Sequence, residues 1–189
     1  MYRNAETEKA YRLGLVIGRF QIIHTGHEEI IRRAVELCDT VGVFVGSSQE
    51  SGTAKNPFSY EMRKSMLTDI FGNDISVHPL PDIGAGNNCI WGEYVFQNVF
   101  DRFGEYPDLF VSGEEDRRTG WFPPDLFPEL AQIFLPKSID ISASRMREYL
   151  IEDNFDSWKK YSNPCLWDRY PMLRNAAILS SDISDTSSI

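Results

Sequence analysis

No apolar run in this chain approaches the ~20 residues that a membrane-spanning helix needs, so no span is expected. Cysteine is scarce. Cys38, Cys89 and Cys165 are odd in number and far apart, which suggests neither a zinc site nor a disulfide framework. A reducing, cytoplasmic setting fits that usage best. Positive charge is short as well: 19 Lys and Arg against 28 Asp and Glu leave a formal net charge of −9 at pH 7. That balance argues against general nucleic-acid binding by a basic surface. It also means that an anionic substrate must be held by a local basic cluster working against the overall field. The first residues, Met1 to Glu6, show no signal-peptide core, and no internal repeat is visible.

What is present is the composition of a globular protein, 42% hydrophobic and 13% aromatic over 189 residues. One domain with a proper core is the default at that length. The chain is organised around Gly18-Arg19-Phe20-Gln21-Ile22-Ile23-His24-Thr25-Gly26-His27. An apolar run (Leu13, Leu15, Val16, Ile17) precedes it and reads as a buried strand over 13–18. The amphipathic stretch after it reads as a helix over 26–38. Thr25 followed by Glu28 forms a capping box, which starts the helix at Thr25. Both histidines then stand at a helix entrance, where free N–H groups and the positive dipole end favour an anion. Gly18 ends the strand tightly, and Gly26 lets a ligand approach the backbone.

A second apolar strand, Thr40–Gly46, completes a βαβ unit with parallel pairing. The polar loop from Ser47 to Pro57 leaves the same sheet edge as the first motif, with Lys55 as its cation. Ligands bind at that carboxyl edge in open α/β sheets. Ser59 can cap a helix bearing Met62, Met66, Leu67, Ile70 and Phe71 on one face, its methionines read as core filler. Strands follow at Ile75–Leu80, Asp108–Val111 and Gln132–Leu135. The helix between the first two carries Trp91, Val95, Val99 and Phe103 at intervals of four. A last α/β helix starts at Ile141-Ser142-Ala143-Ser144, where hydroxyls, N–H groups and Arg147 can bind phosphate. The plainer alternative there is a Ser-capped helix with solvated arginines. Beyond Asn154 the chain is helical and aromatic, and the Ser, Asp and Thr of residues 180–189 suggest a disordered tail.

His24-Thr25-Gly26-His27 and Ile141-Ser142-Ala143-Ser144-Arg145-Met146-Arg147 resemble the His-x-Gly-His and Ile-Ser-Ser-Thr-x-x-Arg marks of the nucleotidyltransferase superfamily. Within it, four segments match nicotinamide-mononucleotide adenylyltransferases of the archaeal type, which also occur fused to Nudix hydrolases in bacteria. They are Gly18–Gln21, Gly46–Ser51, Asn56-Pro57-Phe58, and Pro81-Asp82-Ile83 with Asn88 and Trp91. The resemblance covers roughly residues 12–160. The departures are Ile22 for a usual Pro, Ala143 for Ser, Ser144 for Thr, Lys55 for an Arg, and a longer Asp82–Asn88 loop. The resemblance implies an α/β, Rossmann-like nucleotidyltransferase fold with a central parallel sheet of about five strands. A nucleotidyltransferase domain would span 1–160, with a helical C-terminal extension over 161–179 packed on it.

The implied reaction is adenylyl transfer from ATP to nicotinamide mononucleotide (NMN), giving NAD and pyrophosphate, with Mg²⁺ carried by ATP and no metal ligands from the protein. The resemblance gives catalytic roles to His24, His27, Arg19 and Arg147. It gives ATP contacts to Gly18, Phe20, Gly26, Lys55, Ser142 and Ser144. Asp82, Ile83, Asn88 and Trp91 would form the nicotinamide pocket, Trp91 by stacking; core packing is the other reading of Trp91. Rival functions are a phosphopantetheine adenylyltransferase, a cytidylyltransferase, or a regulator that senses ATP or NAD without turnover. No nucleic acid or membrane partner is expected. Relatives are often multimeric, so a homo-oligomer is a candidate state, and the aromatic C-terminal stretch reads as interface or as core.

Overall fold

A computed structural model describes residues 9–84, 88–113 and 120–186. Five strands, β1 (Tyr11–Gly18), β2 (Cys38–Gly46), β3 (Ser76–Leu80), β4 (Leu109–Gly113) and β5 (Ala131–Leu135), form one sheet in the order β3-β2-β1-β4-β5. Every neighbouring pair is parallel, with Leu15 opposite Gly42 and Phe110, and Val45 opposite Pro79. Pro79 is tolerated because β3 is an edge strand, where a missing N–H breaks no ladder. The chain runs outward from β1 through β2 to β3, then crosses back to β4 and β5. The reversal lies between β1 and β4, and the carboxyl ends at such a point are where α/β sheets open a crevice for ligands.

Strand alternation sorts the core into two layers. Leu13, Leu15 and Ile17 turn to one face, where Val95 and Val99 of α3 (Asn88–Phe103) meet Phe110 and Phe122. Val16, Val43 and Val111 turn to the other face, under α1 (Thr25–Leu37), α2 (Tyr60–Phe71), α4 (Ala143–Ile151) and α6 (Tyr170–Thr186). Met66 and Met146 are buried in this second layer. With both faces covered, the strands can be apolar throughout, as parallel sheets require. Ser59 caps α2 by accepting from the Met62 N–H at 3.3 Å.

The aromatic C-terminal stretch is core rather than exposed surface. Trp158 of α5 (Phe155–Lys159) is fully buried and meets the Tyr170 ring edge-on at 5.2 Å, inside the layer that holds Met146 and Leu150. Arg169 pairs with Asp69 and so ties this stretch to α2. Helix α6 continues to Thr186, into the segment whose composition suggested a disordered tail. The tail expectation is therefore corrected for 180–186: Ser180 and Ser181 hydroxyls donate back to the Ala176 and Ile178 carbonyls and remain compatible with the helix. Among the described residues, no helix is long and apolar enough to cross a membrane.

Candidate active site

The turn after β1 is tightly folded. A Cβ on Gly18 would lie 2.8 Å from the Phe20 ring, so glycine lets that buried ring fold back over the strand end. Phe20 meets the His27 ring edge-on at 5.1 Å. Ile22, at the place where proline is usual, has φ 100 and is fully buried. A proline ring fixes φ near −65°, so this turn follows a path that proline would forbid. Buried Gln21 fastens it: its amide donates to the Phe58 carbonyl at 3.2 Å and accepts from the Phe58 N–H at 3.0 Å.

Helix α1 begins at Thr25 as expected, but not through a capping box. His24 is the N-cap residue and its side chain makes no capping bond. Glu28 is instead taken by Arg32 at 3.3 Å and by the Asn163 amide at 2.9 Å. The Thr25 N–H donates to the Tyr161 carbonyl at 2.9 Å, and the His27 N–H turns back to the His24 carbonyl at 2.8 Å. Two donors of the first turn are thus already satisfied, so side chains carry more of the anion-binding capacity than the helix end alone implied. The two imidazoles stack with centroids 3.9 Å apart. Gly26 makes this stack fit, since a Cβ there would lie 3.2 Å from the His24 ring. Burial, with a smaller contribution from the charge of Lys137, pushes the His24 pKa down to about 4. Without ligand, His24 is therefore a neutral imidazole at pH 7, and among the described residues its buried Nδ1 has no hydrogen-bond partner.

The second motif closes the site. Ser142 caps α4 by accepting from the Arg145 N–H at 3.2 Å. Arg145 turns outward to Glu148 at 2.7 Å, whereas Arg147 turns inward. Its guanidinium donates to the Gln21 carbonyl at 2.8 Å and to the Ser144 hydroxyl at 3.2 Å. That bond to Gln21 joins segments 126 residues apart and brings both motifs to one cavity of about 390 Å³. Arg19, Phe20, His24, Gly26, His27, Ser142, Ser144 and Arg147 all line it. Ala143 lines it too, so the missing hydroxyl falls on the cavity wall. Among the described residues that line this cavity, Arg19, Lys137 and Arg147 face a single acidic one, Glu29. The site is locally basic on an acidic chain.

The remaining residues named from the sequence stand elsewhere. Lys55 is exposed in the loop after β2 and does not line the cavity. Asp82 accepts from the Ser47 hydroxyl at 2.6 Å and its N–H donates to Gln49 at 3.0 Å. Ile83 is exposed beside it. Asn88 opens α3, and its side chain lies outside the described residues. Half-buried Trp91 packs on the rim of the first core layer, that of Leu15, Val95 and Phe110, tilted against Tyr94 at 5.5 Å and edge-on to Trp121 at 6.1 Å. That placement is compatible with packing, and among the described residues its buried Nε1–H has no acceptor. Asp82, Ile83 and Trp91 do not border the 390 Å³ cavity.

Two cations were missed in the sequence. Lys137 follows the carboxyl end of β5, lines the cavity and pairs with Asp140 at 2.6 Å. Its position just past a strand end was the available signal. Arg63 lies fully buried beneath the turn. A charge three residues before Met66 on the apolar face of α2 was the signal there.

A family model described as cytidylyltransferase-like matches residues 15–115. A nicotinamide-nucleotide adenylyltransferase of Thermococcus onnurineus is 40% identical over 149 residues, covering 74% of this chain and 72% of that protein. The chain belongs to this nucleotidyltransferase family. A second member, from Saccharolobus solfataricus, is 42% identical over 102 residues, which is 47% of this chain and 58% of that protein. Among solved structures, a bifunctional NMN adenylyltransferase/ADP ribose pyrophosphatase from Francisella tularensis, complexed with AMP and a manganese ion, superposes with a TM-score of 0.69 at 22% identity. It covers 89% of this chain, which spans about half, 52%, of that longer protein. The likeness supports the Rossmann-like nucleotidyltransferase fold.

Proposed function

We propose that the protein transfers the adenylyl group of ATP to nicotinamide mononucleotide, giving NAD and pyrophosphate. The observation that carries this reading is the shared cavity, where the His24–His27 turn and the Ser142–Arg147 helix start face each other. An oxygen of the NMN 5′-phosphate attacks the ATP α-phosphorus in line, the bond to the β-phosphate oxygen breaks, and pyrophosphate leaves. The attacking phosphate is already anionic at pH 7, so no general base and no covalent enzyme intermediate is needed. Holding two anions in line can supply up to ~7–11 kcal/mol of the barrier, and each aimed donor a few more.

His24 and His27 donate to ATP phosphate oxygens, and Gly18, Phe20 and Gly26 shape the turn that presents them. Incoming phosphate charge raises the His24 pKa from its ligand-free position, because an adjacent anion favours the imidazolium. Arg19 and Lys137 neutralise the triphosphate, and Ser142, Ser144 and Arg147 hold its β- and γ-groups. Lys55 acts, if its loop folds inward, as a further cation. The polar side chains facing the cavity are mostly donors, a set that fits phosphate oxygens. Among the described residues no group of three or more His, Cys, Asp or Glu is placed to hold a metal ion. Mg²⁺ enters as part of the substrate, bound to ATP. Asp82, Ile83, Asn88 and Trp91 form the nicotinamide side, and the cytoplasm is the compartment in which ATP and NMN meet.

The direct test is NAD formation and pyrophosphate release from ATP and NMN, against a panel of CTP, phosphopantetheine and small phosphate esters. NAD formation with ATP and NMN alone is expected. Turnover of another pair with none for NMN, or tight NAD binding without synthesis, would overturn the reading.

A further inference from the structure

Arg63 has no role in the site as drawn so far, yet it is fully buried. Among the described residues no carboxylate stands within ion-pairing distance of it. A buried, unpaired guanidinium is costly unless every donor is satisfied. Here each of its five N–H groups has a main-chain carbonyl. Nη1 donates to Arg19 at 3.0 Å and to Gly46 at 2.8 Å. Nη2 donates to Ser47 at 3.1 Å and to Glu50 at 3.3 Å, and Nε to Ser59 at 3.3 Å. These carbonyls come from three segments: the turn after β1, the end of β2 with its loop, and the start of α2. Ser47, held in a left-handed conformation at φ 48, then passes the connection on, since its hydroxyl donates to Asp82 at 2.6 Å.

We propose that Arg63 is a positioning residue that locks the triphosphate side and the nicotinamide side of the site into one register. One arm fixes the main chain of Arg19, which lines the phosphate cavity. The other arm fixes Ser47, and through it Asp82 and the loop after β3. The planar fork is what the place demands. A lysine offers three donors from one point and leaves at least two of the five carbonyls unpaired. The buried charge also lies under the sheet edge where phosphate charge is to collect, so it adds a fixed favourable potential without touching the substrate. This inference rests on the proposed reaction for its two substrates, but the connection itself is independent of turnover.

The test measures ATP binding and NMN binding separately by calorimetry, with steady-state kinetics and melting temperature, for Arg63→Lys, Arg63→Gln and Ser47→Ala. Arg63→Lys is expected to weaken both ligands together and to lower kcat/KM by at least about ten-fold, the scale of one lost charge-assisted hydrogen bond. Ser47→Ala cuts only the outer arm, so NMN binding weakens several-fold while ATP binding stays at the wild-type value. Folded Arg63→Lys with unchanged binding of both ligands would show a purely structural residue and overturn the proposal. If neither Arg63 variant folds, Ser47→Ala decides: equal effects on ATP and NMN, or none on either, would overturn it. Wild-type protein that binds both ligands but makes no NAD would sink the proposed reaction and leave these binding comparisons intact.

Discussion

The two halves of the site are built differently. On the phosphate side, His24, Gln21 and Arg63 are buried, and Arg147 is tied to a carbonyl 126 residues away in sequence. On the proposed nicotinamide side, Asp82 and Ile83 are exposed, and Ser47 and Gln49 from a neighbouring loop hold Asp82. The difference fits the chemistry proposed for each half. In-line attack at phosphorus fails when a donor drifts by an ångström, so those groups sit on strand and helix ends within the core. Ring recognition affects affinity more than alignment and tolerates a looser frame.

Predictions that break or sharpen this contrast run from large to small. Removing a phosphate donor costs most. His27→Ala or Arg147→Ala should reduce kcat by about 10²-fold, the usual loss for one preorganised donor at a developing charge; wild-type turnover in either would remove that residue from the mechanism. Trp91→Ala should raise the KM for NMN about ten-fold, roughly the ~1–1.5 kcal/mol of a ring-stacking contact, with the KM for ATP unchanged. A lower melting temperature with an unaltered NMN KM would assign the ring to core packing alone.

The pH dependence of stability isolates His24. Its folded pKa, about 4, lies below the unfolded 6.5. Between those values the unfolded chain binds a proton that the native state does not. Stability should therefore fall as pH drops from 6.5 towards 4, by up to about 1.4 kcal/mol per pH unit, and flatten below. The groups facing this ring are His27 and Lys137. The slope should be smaller in His24→Gln when urea midpoints are compared with wild type; identical slopes would contradict the burial argument. Lys55→Ala should change the KM for ATP by less than about three-fold, as expected of an exposed charge screened by solvent, and a larger loss would mean that its loop closes over ATP.

Much of the scaffold was legible because its signals are local. Leu13, Leu15 and Ile17 read as a strand from their own run, and Trp91, Val95 and Val99 as a helix from their spacing. The two motifs of the proposed phosphate site were legible for the same reason, as each is a strand or loop feeding a helix start. What was not legible depended on distant partners. Glu28 looked like half of a capping box, but Asn163 claims its carboxylate from 135 positions away. Arg63 was missed, because the five carbonyls that allow its burial come from segments the periodicity of α2 cannot report. Ser180 and Ser181 suggested a tail by composition, whereas their bonds to the preceding helical turn let α6 continue.

The most direct measurement is a crystal structure with a non-hydrolysable ATP analogue. One triphosphate should lie within about 3 Å hydrogen-bond reach of the His24–His27 pair and of Ser144 and Arg147 at once. A triphosphate bound by one of these groups alone, or outside the cavity between them, would contradict the account.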